Sequence, residues 1–214
     1  MSQLFPEWAN QVPRRLLVGS IVLVNTIVFT VWYFFSPEFT QVGYMPEQPV
    51  PFSHQIHVGK LGMDCQYCHT QVYDSRHANI PATQTCMNCH NQIKTDSEKL
   101  ALVRESWESG EPIEWYKVHM LPDYAYFNHA AHVNVGVGCE SCHGRIDRME
   151  VVYQAEPLSM GWCLDCHREP EKYVRPVEEV TTMGYVAENQ IELGLQLVAK
   201  QNIDAPVYCQ ACHY

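Results

Sequence analysis

Five short motifs of one kind, Cys-x-x-Cys-His, run through the sequence and account for all 10 of its cysteines. This spacing is typical of c-type haem attachment, in which two thiols join the vinyl groups of one haem and the adjacent histidine binds its iron. Zinc sites and disulfides also use closely spaced cysteines, but five complete copies with no cysteine left over favour haem. Motifs 1 to 5 are residues 65–69, 86–90, 139–143, 163–167 and 209–213.

The motifs therefore predict five covalently bound c-type haems. The predicted attachment residues are Cys65, Cys68, Cys86, Cys89, Cys139, Cys142, Cys163, Cys166, Cys209 and Cys212. The predicted proximal iron ligands are His69, His90, His143, His167 and His213.

Five irons need five distal ligands if all are six-coordinate, and six of the 11 histidines lie outside the motifs. His54 and His57 are three residues apart, as are His129 and His132. Two imidazoles at that spacing cannot both reach one iron from the same face, so each pair is expected to serve two haems. His119, which precedes the second pair, is the expected fifth donor.

Methionine competes for the distal positions, because a His/Met pair is common in cytochromes c. Met149, between two charged residues just past motif 3, is a candidate distal ligand, with ordinary packing as the alternative. His77 lies in a polar stretch and is interpreted as a surface residue. For the fifth haem, we expect a distal ligand from a distant part of the chain: His57, His119 or His132.

The overall composition limits both the partners and the fold. The formal net charge is −10, which argues against nucleic acid as a partner, since binding it needs a basic surface. Five haems leave about 35 residues of soluble chain each, too few for an ordinary hydrophobic core. The haems should then form the core, wrapped by short helices and irregular chain, so the predicted fold class is mainly α and irregular.

An apolar stretch near the N-terminus predicts a membrane anchor. Residues 16–35 carry no charged side chain, and about 20 such residues span a bilayer as a helix. Arg14 and Arg15 precede the span and residues 32–35 are aromatic, so the N-terminus is expected in the cytoplasm and the haem domain in the periplasm, at the inner membrane. A cleaved signal peptide is the alternative. Asn25 would bond either to another helix or within its own.

The rest of the chain contains an internal repeat, because residues 52–58 and 127–133 share the pattern Phe-x-His-x-x-His-Val and each leads to two motifs. Repetition of this kind indicates duplicated dihaem units. The predicted segments are a cytoplasmic head (1–15), a transmembrane anchor (16–35), a proline-rich spacer (36–51), a first dihaem unit (52–90), a connector (91–118), a second dihaem unit (119–167) and a C-terminal segment with the fifth haem (168–214).

Two helices are predicted outside the motifs. In the connector, residues 95–98 resemble a capping box, and Gly110 offers a stop for the helix that follows. In the C-terminal segment, residues 187–200 have helical periodicity, with Ile191 and Leu195 on one side.

The pattern Phe-Ser-His-x-x-His-Val before a motif resembles the multihaem cytochromes c3 and c7, in which such histidine pairs serve two haems. A longer pattern in residues 80–90, 126–132 and 158–168, together with one anchor and a fifth haem, is similar to the pentahaem cytochrome subunit of bacterial alternative complex III. The similarity covers residues 10–214, nearly the whole chain.

That resemblance implies a relay of electrons from quinol to a soluble periplasmic acceptor, inside a respiratory or photosynthetic complex. The implied partners are an iron–sulfur protein, polytopic quinol-binding proteins and a monohaem cytochrome. The chain would then be an electron-transfer subunit and no enzyme by itself. The alternatives are a free-standing membrane-anchored quinol dehydrogenase, a reaction-centre cytochrome and a multihaem reductase of a small molecule. The last needs an open iron position.

We expect the denatured polypeptide to carry the added mass of five haems, because thioether bonds survive unfolding. The absorption spectrum of the intact protein should show low-spin haem only, since at least five distal donors are present. Intact-protein mass spectrometry and optical spectra check both statements. A stoichiometric high-spin haem would instead favour the reductase.

Overall fold

The computed structural model describes residues 5–214, so the first four residues of the predicted head lie outside the described part. The chain forms two compact units, one ending at Thr40 and one comprising residues 41–214. Residues 5–214 contain helices and irregular chain with no strand, apart from a bridge between Val137 and Val174. The predicted class, mainly α and irregular, is confirmed. The α-helices are α1 (Val12–Phe34), α2 (Pro37–Thr40), α3 (Thr83–His90), α4 (Ala101–Ser109), α5 (His129–Val133), α6 (Glu140–His143), α7 (Met160–Arg168) and α8 (Gln190–Gln201).

The first unit is dominated by α1, which follows a 3-10 turn at Glu7–Gln11. Together they form a helical stretch of 28 residues, Glu7–Phe34, which by length and composition can cross a membrane. Asn25 donates to the carbonyl of Ile21 at 2.8 Å, so its amide bonds within its own helix. An apolar helix of this kind fits the predicted single-pass anchor.

The second unit has few apolar side chains packed on one another. Its buried cluster contains Val72, Val133 and Val180, with Tyr73 and Cys139 among the residues against it. Three valines cannot hold a domain of this size by apolar burial alone, since one fully buried side chain of this kind contributes about 1.5–3 kcal/mol. Other buried apolar side chains, such as Val174 and Leu197, lie outside this cluster, and many further apolar residues line a large cavity that is described below.

The connector helix forms as α4, with a 3-10 turn at Glu98–Leu100 before it. Gly110 ends it with φ of 78°, a left-handed conformation that glycine adopts without strain. The predicted capping box, with Thr95 as the N-cap residue, is wrong, because the turn begins only at Glu98 and its N-cap residue, Ser97, makes no side-chain capping hydrogen bond. Instead, Arg104 donates to the carbonyls of Thr95 and Ser97 at 2.9 Å each.

The C-terminal helix α8 packs through an unexpected side. Ile191 and Leu195 are exposed, whereas Gly194 and Leu197 are buried. The absence of a side chain at Gly194 lets the helix approach the backbone of the 3-10 turn Pro170–Lys172, where a methyl group would overlap the Glu171 carbonyl. This close approach fixes α8 to the segment that follows motif 4.

Replacing Gly194 by alanine is therefore expected to destabilise the protein by about 1–3 kcal/mol, the usual cost of overpacking. Helix propensity alone would favour alanine by up to about 1 kcal/mol, so the sign of the effect separates the two influences. Guanidinium unfolding of the full chain, followed by far-ultraviolet circular dichroism, measures it.

Gln196→Ala on the exposed side of the same helix is the matched control and should change stability by less than about 0.5 kcal/mol. A stabilised Gly194→Ala protein would contradict the proposed backbone contact.

Candidate functional site

A cavity of about 1340 Å³ occupies the second unit, and its wall is mostly apolar. The wall contains seven motif cysteines and nine histidines, drawn from motifs 1 to 4 and from the histidines outside the motifs. The histidines are His54, His57, His69, His77, His90, His119, His129, His132 and His143. A large apolar space that presents both thiols and imidazoles fits the predicted haems, which need thioether bonds, axial nitrogens and apolar cover.

Each motif is held in place by neighbouring chain. Asp64 caps the turn at motif 1 by accepting from Gln66 at 2.8 Å, and Thr181 donates to the same carboxylate at 2.7 Å. In motif 3, Glu140 forms a 3.0 Å ion pair with the buried side chain of Arg175. Residues 174–184 of the C-terminal segment therefore hold motifs 1 and 3 together.

Motifs 2 and 4 lie within helices. The Thr83 hydroxyl at the start of α3 lies 2.7 Å from that of Ser106, which ties motif 2 to α4. Ser159 caps α7 by accepting from Trp162 at 3.3 Å, which begins the helix just before motif 4. Both helices end at or beside the motif histidine.

The motif histidines share one orientation. In four of them, Nδ1 faces a backbone carbonyl oxygen at hydrogen-bond distance. The pairs are His69 with Asn79 (2.7 Å), His90 with Ile93 (3.0 Å), His167 with Pro206 (2.7 Å) and His213 with Tyr124 (2.8 Å). An imidazole that donates from Nδ1 has its lone pair on Nε2, so each of these rings has Nε2 available to bind a metal, as the predicted proximal role requires.

The two repeats place their histidines in the same way. Phe52 lies 4.9 Å from His54 and 4.4 Å from His57 between ring centroids. The corresponding distances from Phe127 are 4.8 Å to His129 and 4.5 Å to His132. The first ring of each pair is nearly perpendicular to the phenylalanine and the second is closer to parallel. The internal repeat seen in the sequence is therefore also a structural repeat.

Three of these histidines are also oriented through Nδ1. The acceptors are the carbonyl oxygens of Ser53 for His57 (2.8 Å), Asn128 for His132 (2.8 Å) and Arg76 for His129 (2.9 Å). In the described residues, His54 Nδ1 is buried and has no hydrogen-bond partner.

Three histidine pairs have similar spacing. The ring centroids are 6.2 Å apart for His57 and His90, 5.9 Å for His132 and His167, and 6.4 Å for His129 and His143. An iron with metal–nitrogen bonds of about 2 Å on each side would hold two rings about 6 Å apart. These pairs are therefore spaced as axial ligands of one iron.

Burial keeps the central imidazoles neutral. Burial, together with neighbouring histidines, lowers the pKa of His54 and of His119 to about 4. The pKa of His143 falls to about 3 for the same reasons, and burial also lowers the pKa of His129. At neutral pH these rings carry no charge, which is the form that binds a metal.

The remaining candidates lie in different settings. His119 Nε2 is 3.1 Å from His143 Nδ1. His77 is exposed, as predicted, although its side chain reaches the cavity wall. Met149 is buried, with 4% of its surface exposed, and it is not one of the described residues that line the cavity. Its role as a ligand stays a prediction.

The cysteines of different motifs lie close together. The thiols of Cys65 and Cys139 lie close enough to interact, so motif 1 is next to motif 3. Burial raises the pKa of the Cys68 thiol, and Cys86 of motif 2 is near enough to raise it further. Motif 1 therefore lies between motifs 2 and 3.

The same kind of proximity continues towards the C-terminus. Burial raises the pKa of Cys142 to about 12, with a further contribution from Cys166 and Cys163 of motif 4. Burial also raises the pKa of Cys163, and Cys212 of motif 5 adds to it. These neighbouring cysteines link the motifs in the order 2, 1, 3, 4, 5.

Motif 5 has surroundings that the sequence did not indicate. The ring of Tyr126 stacks on that of Tyr214 at 4.5 Å, and the guanidinium of Arg76 lies 5.5 Å from the Tyr126 ring. His213 contacts the Tyr124 ring, with no ring contact to another histidine in the described part of the chain. The expected donors to the fifth iron lie elsewhere: His57, His119 and His132 are next to His90, His143 and His167.

Comparison with known proteins agrees with this site. The family model described as "Cytochrome c7 and related cytochrome c" matches residues 50–105 and 125–214. The chain is also 37% identical over 122 residues to the multiheme cytochrome c subunit of menaquinone reductase from Nitratidesulfovibrio vulgaris (strain Hildenborough). That match covers 56% of this chain and 55% of the relative, so the chain spans about half the length of the curated relative.

His57→Ala is expected to convert one haem from low to high spin, because the ring that faces His90 is lost while the thioether bonds and the proximal nitrogen remain. Optical and electron paramagnetic resonance spectra of the oxidised protein report the spin state.

His77→Ala is the matched control, since it removes an exposed imidazole from the wall of the same cavity, and it should leave every haem low spin. An unchanged spectrum for His57→Ala would show that the ring spacing does not identify axial pairs.

Proposed function

The chain belongs to the family of cytochrome c7 and related cytochrome c, and on this basis we propose that it is a membrane-anchored pentahaem cytochrome c. It relays electrons within a quinol-oxidising respiratory or photosynthetic complex to a periplasmic acceptor. The observation that carries this proposal is the mostly apolar cavity, whose wall presents cysteines of motifs 1 to 4 together with nine histidines.

The five haems are attached through the ten motif cysteines, with the five motif histidines as proximal ligands. Each bound haem supplies an iron that takes up and releases one electron. Distal nitrogens come from the two repeats. In this assignment His57 faces His90, His129 faces His143 and His132 faces His167. His54, the remaining histidine of the two repeats, is assigned to His69. The chain orients these rings through Nδ1 hydrogen bonds and covers the haems with apolar side chains.

The exposure of the motif cysteines supports a wire with two ends. Among the 10 cysteines, Cys89 of motif 2 and Cys209 of motif 5 are exposed, and the others are partly covered. Motifs 2 and 5 are also the first and the last in the order 2, 1, 3, 4, 5 in which neighbouring motifs are linked. Electrons therefore enter and leave at these two motifs, where a partner protein reaches the haem edge most easily.

The helix α1 anchors the chain in the inner membrane with its N-terminus in the cytoplasm. Arg14 and Arg15 precede the apolar span, and positive residues near a span favour the cytoplasmic side. The haem domain is then in the periplasm, where c-type haem is normally attached. Residues 37–40 form α2, and Pro46, Pro49 and Pro51 lie in the irregular chain that follows it.

The resemblance to the pentahaem subunit of alternative complex III supports quinol oxidation, with an iron–sulfur protein, polytopic quinol-binding proteins and a monohaem cytochrome as partners. A second candidate has the opposite direction of flow, from a periplasmic donor to quinone. It is favoured by the relative, which is a subunit of a menaquinone reductase. Both candidates use the same series of haems, with the haems of motifs 2 and 5 as the sites of electron entry and exit.

Extraction of the tagged full chain from its native membrane in mild detergent tests the proposal. We expect polytopic membrane proteins and an iron–sulfur protein to co-purify, and menaquinol to reduce the haems of the assembly. The same chain stripped of partners should not be reduced by menaquinol, because a single span encloses no quinol pocket. A chain that purifies alone and oxidises menaquinol would instead be a free-standing quinol dehydrogenase.

The direction of flow is tested with the same assembly. Reduction of the haems by menaquinol followed by oxidation with a periplasmic acceptor supports the first candidate, and net formation of menaquinol from a periplasmic donor supports the second. The double variant Cys209→Ser/Cys212→Ser should lose the fifth haem and turnover while the other four haems stay low spin. Gln210→Ala, at a variable position of the same motif, is the matched control.

A further inference from the structure

The imidazole of His143 in motif 3 has two histidines beside it, and they lie in different directions. The His119 ring is nearly perpendicular to that of His143, at 78°, with centroids 4.3 Å apart. The His129 ring is almost parallel to it, at 12°, with centroids 6.4 Å apart. Only one of these two rings has the spacing that an intervening iron requires.

His119 approaches the ring atom that does not bind iron. Its Nε2 lies 3.1 Å from Nδ1 of His143, which is hydrogen-bond distance and too short for an iron between the two nitrogens. In the other four motifs, Nδ1 of the proximal histidine meets a carbonyl oxygen at 2.7–3.0 Å. His119 therefore takes, at motif 3, the place that a backbone carbonyl takes at every other motif.

His129 accounts for the distal side of the same haem. The distance between the His129 and His143 ring centroids is similar to that in the two other assigned pairs, His57 with His90 and His132 with His167. The Nδ1 atom of His129 lies 2.9 Å from the Arg76 carbonyl oxygen. Its Nε2 is then free for the iron. With His129 as distal ligand, the third haem has no need of a nitrogen from His119.

His119 is held by a buried polar anchor. The amide oxygen of Gln154 accepts from the backbone N–H of Met120 at 3.1 Å, and its amide nitrogen donates to the Glu156 carbonyl at 3.0 Å. Gln154 is fully buried, and Val118 on the other side of His119 is buried as well. A residue fixed on both sides in this way can present Nε2 to His143 in one orientation.

We infer that His119 is a positioning residue that accepts a hydrogen bond from Nδ1–H of His143, and that it is not a distal iron ligand. A hydrogen-bond acceptor on the far side of an axial imidazole makes that ligand more basic. A more basic ligand stabilises the oxidised iron more than the reduced iron. His119 therefore lowers the reduction potential of the third haem, and this assignment replaces the distal role that its position in the sequence indicated.

Two substitutions of His119 test the inference in the full haem-loaded chain. His119→Leu removes the acceptor, so the midpoint potential of one haem should rise while all five haems remain attached and low spin. His119→Gln retains a carbonyl at similar reach and should return that potential most of the way to the original value. Optical redox titration gives the potentials, and absorption and electron paramagnetic resonance spectra give the spin states.

Two further variants provide the references. His129→Ala should produce one high-spin haem and so identify the haem whose potential His119→Leu shifts. Gln196→Ala, on the exposed side of α8 and outside the cavity wall, should alter neither potential nor spin. If His119→Leu does not accumulate with five haems, His119→Asn, whose side chain is too short to reach Nδ1, should show the same rise.

A high-spin haem in any His119 variant would overturn the inference, because it would make His119 an axial ligand. Five unchanged potentials in His119→Leu or His119→Asn would overturn it as well, since the hydrogen bond would then have no effect on the iron.

Discussion

The second unit must close around a space that its own side chains do not fill. The buried apolar cluster of residues 41–214 is built on three valines, yet a cavity of about 1340 Å³ lies next to it with cysteines and histidines in its wall. Covalent attachment gives this arrangement an advantage, because the groups that complete the core cannot be lost by dissociation. Short helices and irregular chain are then sufficient, since their task is to place ligands and cover flat rings.

Duplication of one short segment, residues 52–58 and 127–133, supplies four of the histidines proposed as distal iron ligands. Each repeat uses one phenylalanine and two histidines in nearly the same geometry. In the proposed assignment, each pair serves the two motifs that follow it. The symmetry is incomplete at one point. In the first dihaem unit the Asn79 carbonyl oxygen faces Nδ1 of His69, whereas in the second dihaem unit His119 faces Nδ1 of His143. Two haems with otherwise similar ligands thus differ in the acceptor behind the proximal ring.

The motifs, the repeat, the anchor and the class of fold could all be predicted from the sequence, because each depends on spacing along the chain. The role of His119 could not, because its position before the second repeat gives no sign of which nitrogen of which ring it meets. The packing of α8 was also hidden: apolar periodicity indicates Ile191 and Leu195, but the contact depends on a missing side chain at Gly194. The aromatic surroundings of motif 5 join residues 76, 124, 126 and 214, which are distant in sequence.

The meeting of motifs 1 and 3 at the centre of the row affects how such a chain can grow during evolution. Joining two dihaem units through their first motifs leaves the second motif of each unit facing outward. Motif 5 lies beyond motif 4, on one side of this arrangement. Growth on that side leaves the surroundings of motif 2 untouched, so one terminus of the protein can acquire a new partner while the contacts of the other are retained.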